Sequence, residues 1–237
     1  MTGSPRTRDR DAVSIALDAL RTMIVTGDIP PGTELSQVKL AENIGVSTTP
    51  LREALSRLEA EGLVESRRNR RPRVPPFDPM ELDAVYCHRV LLESLAVSLS
   101  VPAMTEDDLK GLRADLDAMR AATKDPAAWD AAHASFHLGL VARVAPPLRE
   151  QISGFMARSA RYRRMSVLGD DPAGRSAGDK EHEAILEACT ARDAGEAALL
   201  LARHLTRSAL TLMAHLAPDT DPQSVRSALQ MVMDGVG

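Results

Sequence analysis

Pro31 to Val64 reads PGTELSQVKLAENIGVSTTPLREALSRLEAEGLV, and its punctuation decides what the head of the chain is. The pattern predicts a short helix from Ser36 to Asn43 and a break at Ile44-Gly45-Val46. A second helix follows from Thr48 to Glu61, with Pro50 in the first turn, where a missing N–H is tolerated. Leu40, Ala41, Ile44, Val46, Leu51, Ala54, Leu55 and Leu58 form an apolar seam between the two, which is the pattern of a helix-turn-helix. The other face of the second helix carries Ser47, Thr48, Thr49, Arg52, Ser56 and Arg57. These are short or cationic groups of the kind a recognition helix turns toward base edges and phosphates in a major groove. Two packed helices with an ordinary polar face would share the pattern, so the flanking segments must decide.

On the C-terminal side, Arg67, Arg68, Arg70, Arg71 and Arg73 fall within seven residues with no acid among them. Cations so placed after a helix-turn-helix are suited to gripping phosphates. Leu63 to Glu65 and Arg73 to Val74 are expected to pair as two short strands around this tip, giving an α+β winged helix-turn-helix. Residues 1–75 hold 12 Arg or Lys against 10 Asp or Glu, a net +2, whereas residues 76–237 hold 17 against 23, a net −6. The basic excess therefore belongs to the head. Residues 1–10 read as a loose arm, residues 11–75 as the DNA-binding domain, and the stiff Pro75-Pro76-Phe77-Asp78-Pro79 segment as a boundary, with 76–79 as linker.

Apolar residues make up 44% of the chain and aromatics only 3%, so its cores must be built from Leu, Ala, Val and Met, which favours helices. No run is read as a membrane span and no apolar leader opens the sequence, so the expectation is a cytoplasmic protein with no membrane partner. Cys87 and Cys189 form no CxxC and are read as buried thiols. From residue 80 to 217 the apolar period is helical throughout, an all-α bundle of six or seven helices. Met80 to Val101 opens it; Glu106 to Thr123 follows behind a Thr105/Asp108 capping box, and Asp125-Pro126 starts the next. Leu148 to Val167, Asp179 to Arg192 and Ala194 to Leu216 complete the set. Gly169 to Gly178 reads as a loop, and residues 218–237 as a tail or weak helix.

Four of the six histidines are informative. His133 and His137 are i and i+4 on one helix and can share one ion. His182 and His204 lie on helices that the short turn after Ala191 makes antiparallel neighbours, so both can converge on the first pair. Four nitrogens suit Zn²⁺, with Ni²⁺ or Cu²⁺ next, and disfavour Mg²⁺ and Ca²⁺. Separate core or surface imidazoles remain the alternative, since spacing gives no distance. Arg89, four residues before Glu93, reads either as half of an ion pair or as a donor that fixes a ligand carboxylate in the bundle.

Residues 11–75 resemble the winged-helix domain of the GntR family of bacterial transcription regulators. The carrying elements are Pro31-Gly32, Leu40-Ala41, GVSTTPLREAL from Gly45 to Leu55, and LEAEGLV from Leu58 to Val64. Residues 80–216 resemble the FCD ligand domain of its FadR-type branch. There the match lies in Arg89 and Glu93, Phe136-His137, and HEAILEACTARDAGEAALLLARHL from His182 to Leu205. The resemblance implies a homodimeric, ligand-responsive regulator, usually a repressor, that binds a pseudo-palindromic operator in double-stranded DNA and is not an enzyme. It also implies a divalent metal ion, Zn²⁺ or Ni²⁺, coordinated at His133, His137, His182 and His204, and a small organic acid effector. Three positions depart from the family pattern: His133 replaces an aspartate, Thr48 an arginine and Arg71 a wing glycine. A constitutive DNA-binding protein with a structural metal, and a metal-dependent hydrolase or lyase fused to a DNA-binding head, are the competing classes.

Overall fold

The computed structural model describes residues 5–25, 28–66, 70–122, 125–164 and 172–236. It divides into two compact units, Met1–Phe77 with Arg164–Val167, and Asp78–Arg163 with Leu168–Gly237.

In the first unit α1 (Pro5–Val25) and α2 (Gln37–Ile44) both pack against α3 (Thr48–Ala60). Helix α1 begins at Pro5, so residues 5–10, expected as an arm, are helical. Val13, Ala16, Leu20 and Ile24 of α1 are buried together with Leu40, Ala41, Leu51, Ala54, Leu55 and Leu58. That burial accounts for most of the predicted seam; Ile44 and Val46 are half-buried. The turn between α2 and α3 depends on Gly45, whose φ of 79° lies in the left-handed region that a side chain disfavours. Arg21 reaches across from α1 to form a two-bond ion pair with Glu61 at 2.7 and 3.0 Å.

The α+β winged head is not found: the fold is all-α, and among the described residues there is no β-strand. Leu63 to Glu65 and Arg73 to Val74 do approach one another, but only as isolated antiparallel bridges, Glu65 to Arg73 and Glu34 to Arg73. Glu65 N–H donates to Arg73 O at 2.9 Å and Arg73 N–H returns to Glu65 O at 3.0 Å. The ladder stops there because Pro72, Pro75 and Pro76 flank Arg73-Val74 and carry no N–H to extend it. Val74 N–H turns instead to Thr33 O at 3.0 Å.

The second unit is a bundle of α4 (Pro79–Ser100), α5 (Glu106–Ala121), α6 (Pro126–Leu140), α7 (Pro146–Arg164), α8 (Pro172–Thr190), α9 (Ala194–Leu216) and α10 (Gln223–Val236). A single 3-10 turn, Val101–Ala103, follows α4. Helix α4 packs on α9, α10 and α6, while α5 packs on α6 and α8. By length and mean hydropathy (1.3), Pro79–Ala103 is apolar enough to cross a membrane, contrary to the sequence expectation. Just over half of that apolar stretch (56%) is buried in the bundle; it also buries Asp83, Arg89 and Glu93, while Met80, Leu95 and Leu99 are exposed.

The predicted caps of α5 and α6 form, whereas Ser36, expected to cap α2, stands at its N-cap without a side-chain bond. Thr105 and Asp108 make the reciprocal capping box of α5, and Asp125 accepts from Ala127 N and Ala128 N to start α6. The stretch expected as a loop, Gly169 to Gly178, is helical from Pro172 onward, because a proline is tolerated in the first turn of a helix. Residues 169–171 lie outside the described set. The tail is docked as well: the Asp83 carboxylate on α4 accepts from Ser224 N (3.0 Å) and Val225 N (2.9 Å), capping α10 from a remote helix.

Candidate metal centre and nucleic-acid interface

The turn between α8 and α9 sets the first half of the centre. Asp193 caps α9 through Glu196 N at 2.9 Å, and Arg192 takes the left-handed conformation that reverses the chain. His182 stands 193 − 182 = 11 residues before Asp193 and His204 stands 204 − 193 = 11 after it. Equal rises along two antiparallel helices put both at one level, and their ring centroids are 4.5 Å apart. Helix α6 brings His133 and His137 to the same place one turn apart, at 4.5 Å. Close approach of α6 to α5 is possible because Gly139 has no side chain; a Cβ there would lie 2.8 Å from Leu112 Cδ2.

All four imidazoles are buried, and one nitrogen from each lies within 4.8 Å of the others. Both ring nitrogens of His137 and of His182 are buried with no hydrogen-bond partner among the described residues. Leaving such groups unmatched costs about 1–3 kcal/mol each, so the cluster is poorly satisfied without a ligand. Nitrogens binding one ion at about 2.0–2.1 Å would stand roughly 3.4 Å apart, inside the 4.8 Å within which the four now lie. The donor set fits a divalent transition ion.

Burial, followed by the charge of Arg163, holds His133 well below its ordinary pKa. Burial likewise depresses His182, helped by the neighbouring His204 and His137. Burial lowers His137 to about 4, although Glu93 opposes this, and it lowers His204 against the opposing pull of Glu181. All four rings are therefore neutral near pH 7, the state in which imidazole ligates.

Carboxylates back two of the rings. The Glu181 carboxyl would be raised by burial, but its bonds to His204 and Arg207 bring it down instead, so it is ionised and accepts from His204 Nδ1–H at 2.7 Å. Arg207 grips the same carboxylate through Nε (2.5 Å) and a terminal nitrogen (2.6 Å). Glu93 Oε2 stands 3.4 Å from His137 Nδ1, beyond ordinary hydrogen-bond range. Burial would raise Glu93 too, yet Arg89 and His137 lower it to about 2. Trp129 stacks on His133 at 4.7 Å and 24°, and the Arg163 guanidinium lies 5.5 Å over the indole while pairing with Asp130 at 2.6 Å.

Arg89 is 3% exposed. It donates to both oxygens of Glu93 (2.6 and 3.2 Å) and to Ser159 Oγ (2.9 Å). The ion pair that the sequence offered is formed, and it lies beside the histidines. The roles of Glu181 and Arg207 were missed in the sequence. Their signal was present in His204-x-x-Arg207, which shares one face of α9 and so asks for one facing acid.

In the first unit Ser47, Thr48, Thr49, Arg52, Ser56 and Arg57 are all exposed on one side of α3, opposite its buried Leu51, Ala54, Leu55 and Leu58. Arg57 pairs with Glu53 at 2.6 Å on that exposed face. Arg70 and Arg71 are also exposed, whereas Arg73 is half-buried and bonded to Glu65. Arg67 and Arg68 lie outside the described residues.

The profile of the FCD domain matches residues 84–207, and that of the bacterial regulatory proteins of the gntR family matches residues 14–74. The HTH-type transcriptional repressor GlaR of Escherichia coli (strain K12) is 30% identical over 203 residues, covering 78% of this chain and 89% of that protein. The HTH-type transcriptional regulator LutR of Bacillus subtilis (strain 168) is 28% identical over 204 residues, covering 78% and 93%. Among solved structures, E. coli McbR/YncC aligns with a TM-score of 0.56 at 26% identity, over 85% of this chain and 96% of that one.

Proposed function

This chain belongs to the gntR family of bacterial regulatory proteins and carries an FCD domain, and from that premise we propose a ligand-responsive repressor of metabolic genes with a metal centre in its helical unit. It is a transcriptional regulator and not an enzyme, which sets aside the hydrolase or lyase reading. In this proposal residues 11–75 bind a pseudo-palindromic operator, residues 80–217 hold the effector and the homodimer contact, and the protein acts in the cytoplasm. Ser47, Thr48, Thr49, Arg52 and Arg57 face the major groove, and Arg67, Arg68, Arg70 and Arg71 the flanking phosphates.

The observation that carries the proposal is the convergence of four buried, neutral histidines, two of which, His137 and His182, have unmatched ring nitrogens. His133, His137, His182 and His204 would hold a divalent ion, and an all-nitrogen set favours Zn²⁺ over Mg²⁺ or Ca²⁺, with Ni²⁺ second. When bound, the ion supplies a positive charge that four neutral ligands leave uncompensated, which draws an anion. The effector we assign is therefore a small organic acid. Arg89, bonded to Glu93 and Ser159 beside the cluster, would donate its remaining N–H groups to that carboxylate. Regulation requires that the acid bind one arrangement of the two units more tightly than the other.

The decisive experiment is a Zn²⁺ titration of the wild type and of His133→Ala/His137→Ala, followed by operator binding with and without candidate acids. The variant should lose the tight site. Equal metal uptake by both proteins would refute the assignment, and operator affinity indifferent to every acid would favour a constitutive binder with a structural metal.

A further inference from the structure

We propose that Glu181 is a positioning residue of the metal centre, which fixes the His204 ring so that Nε2 is the nitrogen offered to the ion. The inference rests on the reading of the four histidines as a metal site.

Of the four rings, His204 has a full-strength carboxylate bond on one nitrogen, Nδ1 to Glu181 Oε2 at 2.7 Å. An ionised carboxylate only accepts, so Nδ1 carries the proton and Nε2 is left with its lone pair free. The carboxylate cannot swing away easily, because Arg207 engages both its oxygens from one turn further along α9. A carboxylate behind a ligating histidine selects the tautomer, aims the ring and raises its basicity.

The comparison with Glu93 sharpens the assignment. Glu93 faces His137 in a similar sense, but it is bonded to Arg89 through both oxygens and stands 3.4 Å from the ring nitrogen. His137 Nδ1 has no hydrogen-bond partner among the described residues. His182 has none on either nitrogen. Orientation by a carboxylate is thus built into the His204 corner, while His137 and His182 have no hydrogen bond that fixes a tautomer. Glu181 immediately precedes His182, so the same turn of α8 supplies one ligand and the group that orients another. Its side chain remains about one-third exposed (31%), so replacement does not open the core.

The test uses the full-length protein, wild type, Glu181→Ala and Glu181→Gln, with two readouts. Competition with a chromophoric chelator gives Zn²⁺ affinity, and nitrogen NMR of the metal-free protein gives the tautomer of His204. The alanine variant should bind Zn²⁺ roughly 10–100-fold more weakly and show His204 as a tautomer mixture. The glutamine variant keeps an acceptor but loses the charge, so it should retain the tautomer and lose affinity by a smaller factor.

A folded alanine variant with wild-type Zn²⁺ affinity and an unchanged tautomer would overturn the proposal. So would a variant that melts at lower temperature yet binds Zn²⁺ normally, since Glu181 would then only tie α8 to α9. As a second handle, Arg207→Gln should keep the Nδ1–H tautomer and bind Zn²⁺ within a few-fold of wild type; loss of the tautomer there would place the orienting role on Arg207. A wild type that takes up no Zn²⁺ is a separate result and refutes the metal-site reading itself.

Discussion

Acid should unfold the metal-free helical unit in a narrow window, and the magnitude can be worked from one residue. His137 has a folded pKa of about 4, against about 6.5 for histidine in an unfolded chain. A base whose pKa is depressed by folding binds fewer protons folded than unfolded, so stability rises with pH and is lost as pH falls below about 6.5. Between pH 7.5 and pH 5.0 that linkage costs about 2 kcal/mol for His137 alone. His133 and His182, also held well below their ordinary value, have a ceiling of about 2 kcal/mol each at pH 5.0, set by the unfolded pKa. The sum approaches the whole stability of a typical domain, about 5–15 kcal/mol. Glu93, lowered to about 2, acts in the same direction, but its contribution is lost only below about pH 4.5. The assay is urea unfolding in the presence of chelator, followed by helical circular dichroism and by the fluorescence of Trp129, the sole tryptophan, stacked on His133. His137→Leu should remove about 2 kcal/mol of the pH dependence. A metal-free wild type that loses less than about 1 kcal/mol over this range would refute the claim that the rings are buried and neutral.

Three further outcomes are expected. Glu93→Ala leaves the Arg89 charge buried without its partner and should destabilise the helical unit by about 3–5 kcal/mol in urea unfolding. Asp83→Ala removes the cap on α10 and should cost about 1–2 kcal/mol, with faster amide exchange confined to Gln223–Val236 and its contacts on α4 and α9. Arg52→Ala, at an exposed position of α3, should weaken operator binding while the stability of the free protein stays within about 0.5 kcal/mol. If Arg52 meets a phosphate, the salt slope should also fall by about 1.

Much of the helical design was legible in the chain. Gly45 as the turn, the Thr105/Asp108 and Asp125 caps, and the buried stripe of α3 all follow from interactions spanning four residues or fewer. So does the pairing of His133 with His137. The symmetry of His182 and His204 about Asp193 was equally present in the numbering once a tight turn was granted. The expected wing strands do not form for a local reason that the same sequence contains: prolines at 72, 75 and 76 carry no N–H to extend the ladder beyond Arg73 and Val74. The loop expected over Gly169 to Gly178 gives way to helix from Pro172 onward, where a first-turn proline starts α8 despite the glycine content.

What only the tertiary structure decided are the long-range polar partnerships. Glu181 meets His204 and Arg207 across two helices, Asp83 caps a helix 141 residues later, and Arg89 completes its bonds with Ser159, 70 residues away. No local period encodes these, since each depends on how two helices are rotated about their own axes when they pack. The sequence alone determined which groups each helix carries and on which face. Packing determined which of those groups became neighbours, and burial then made the histidines neutral and left ring nitrogens of His137 and His182 unmatched, because a low-dielectric interior penalises charge and unsatisfied polar atoms alike.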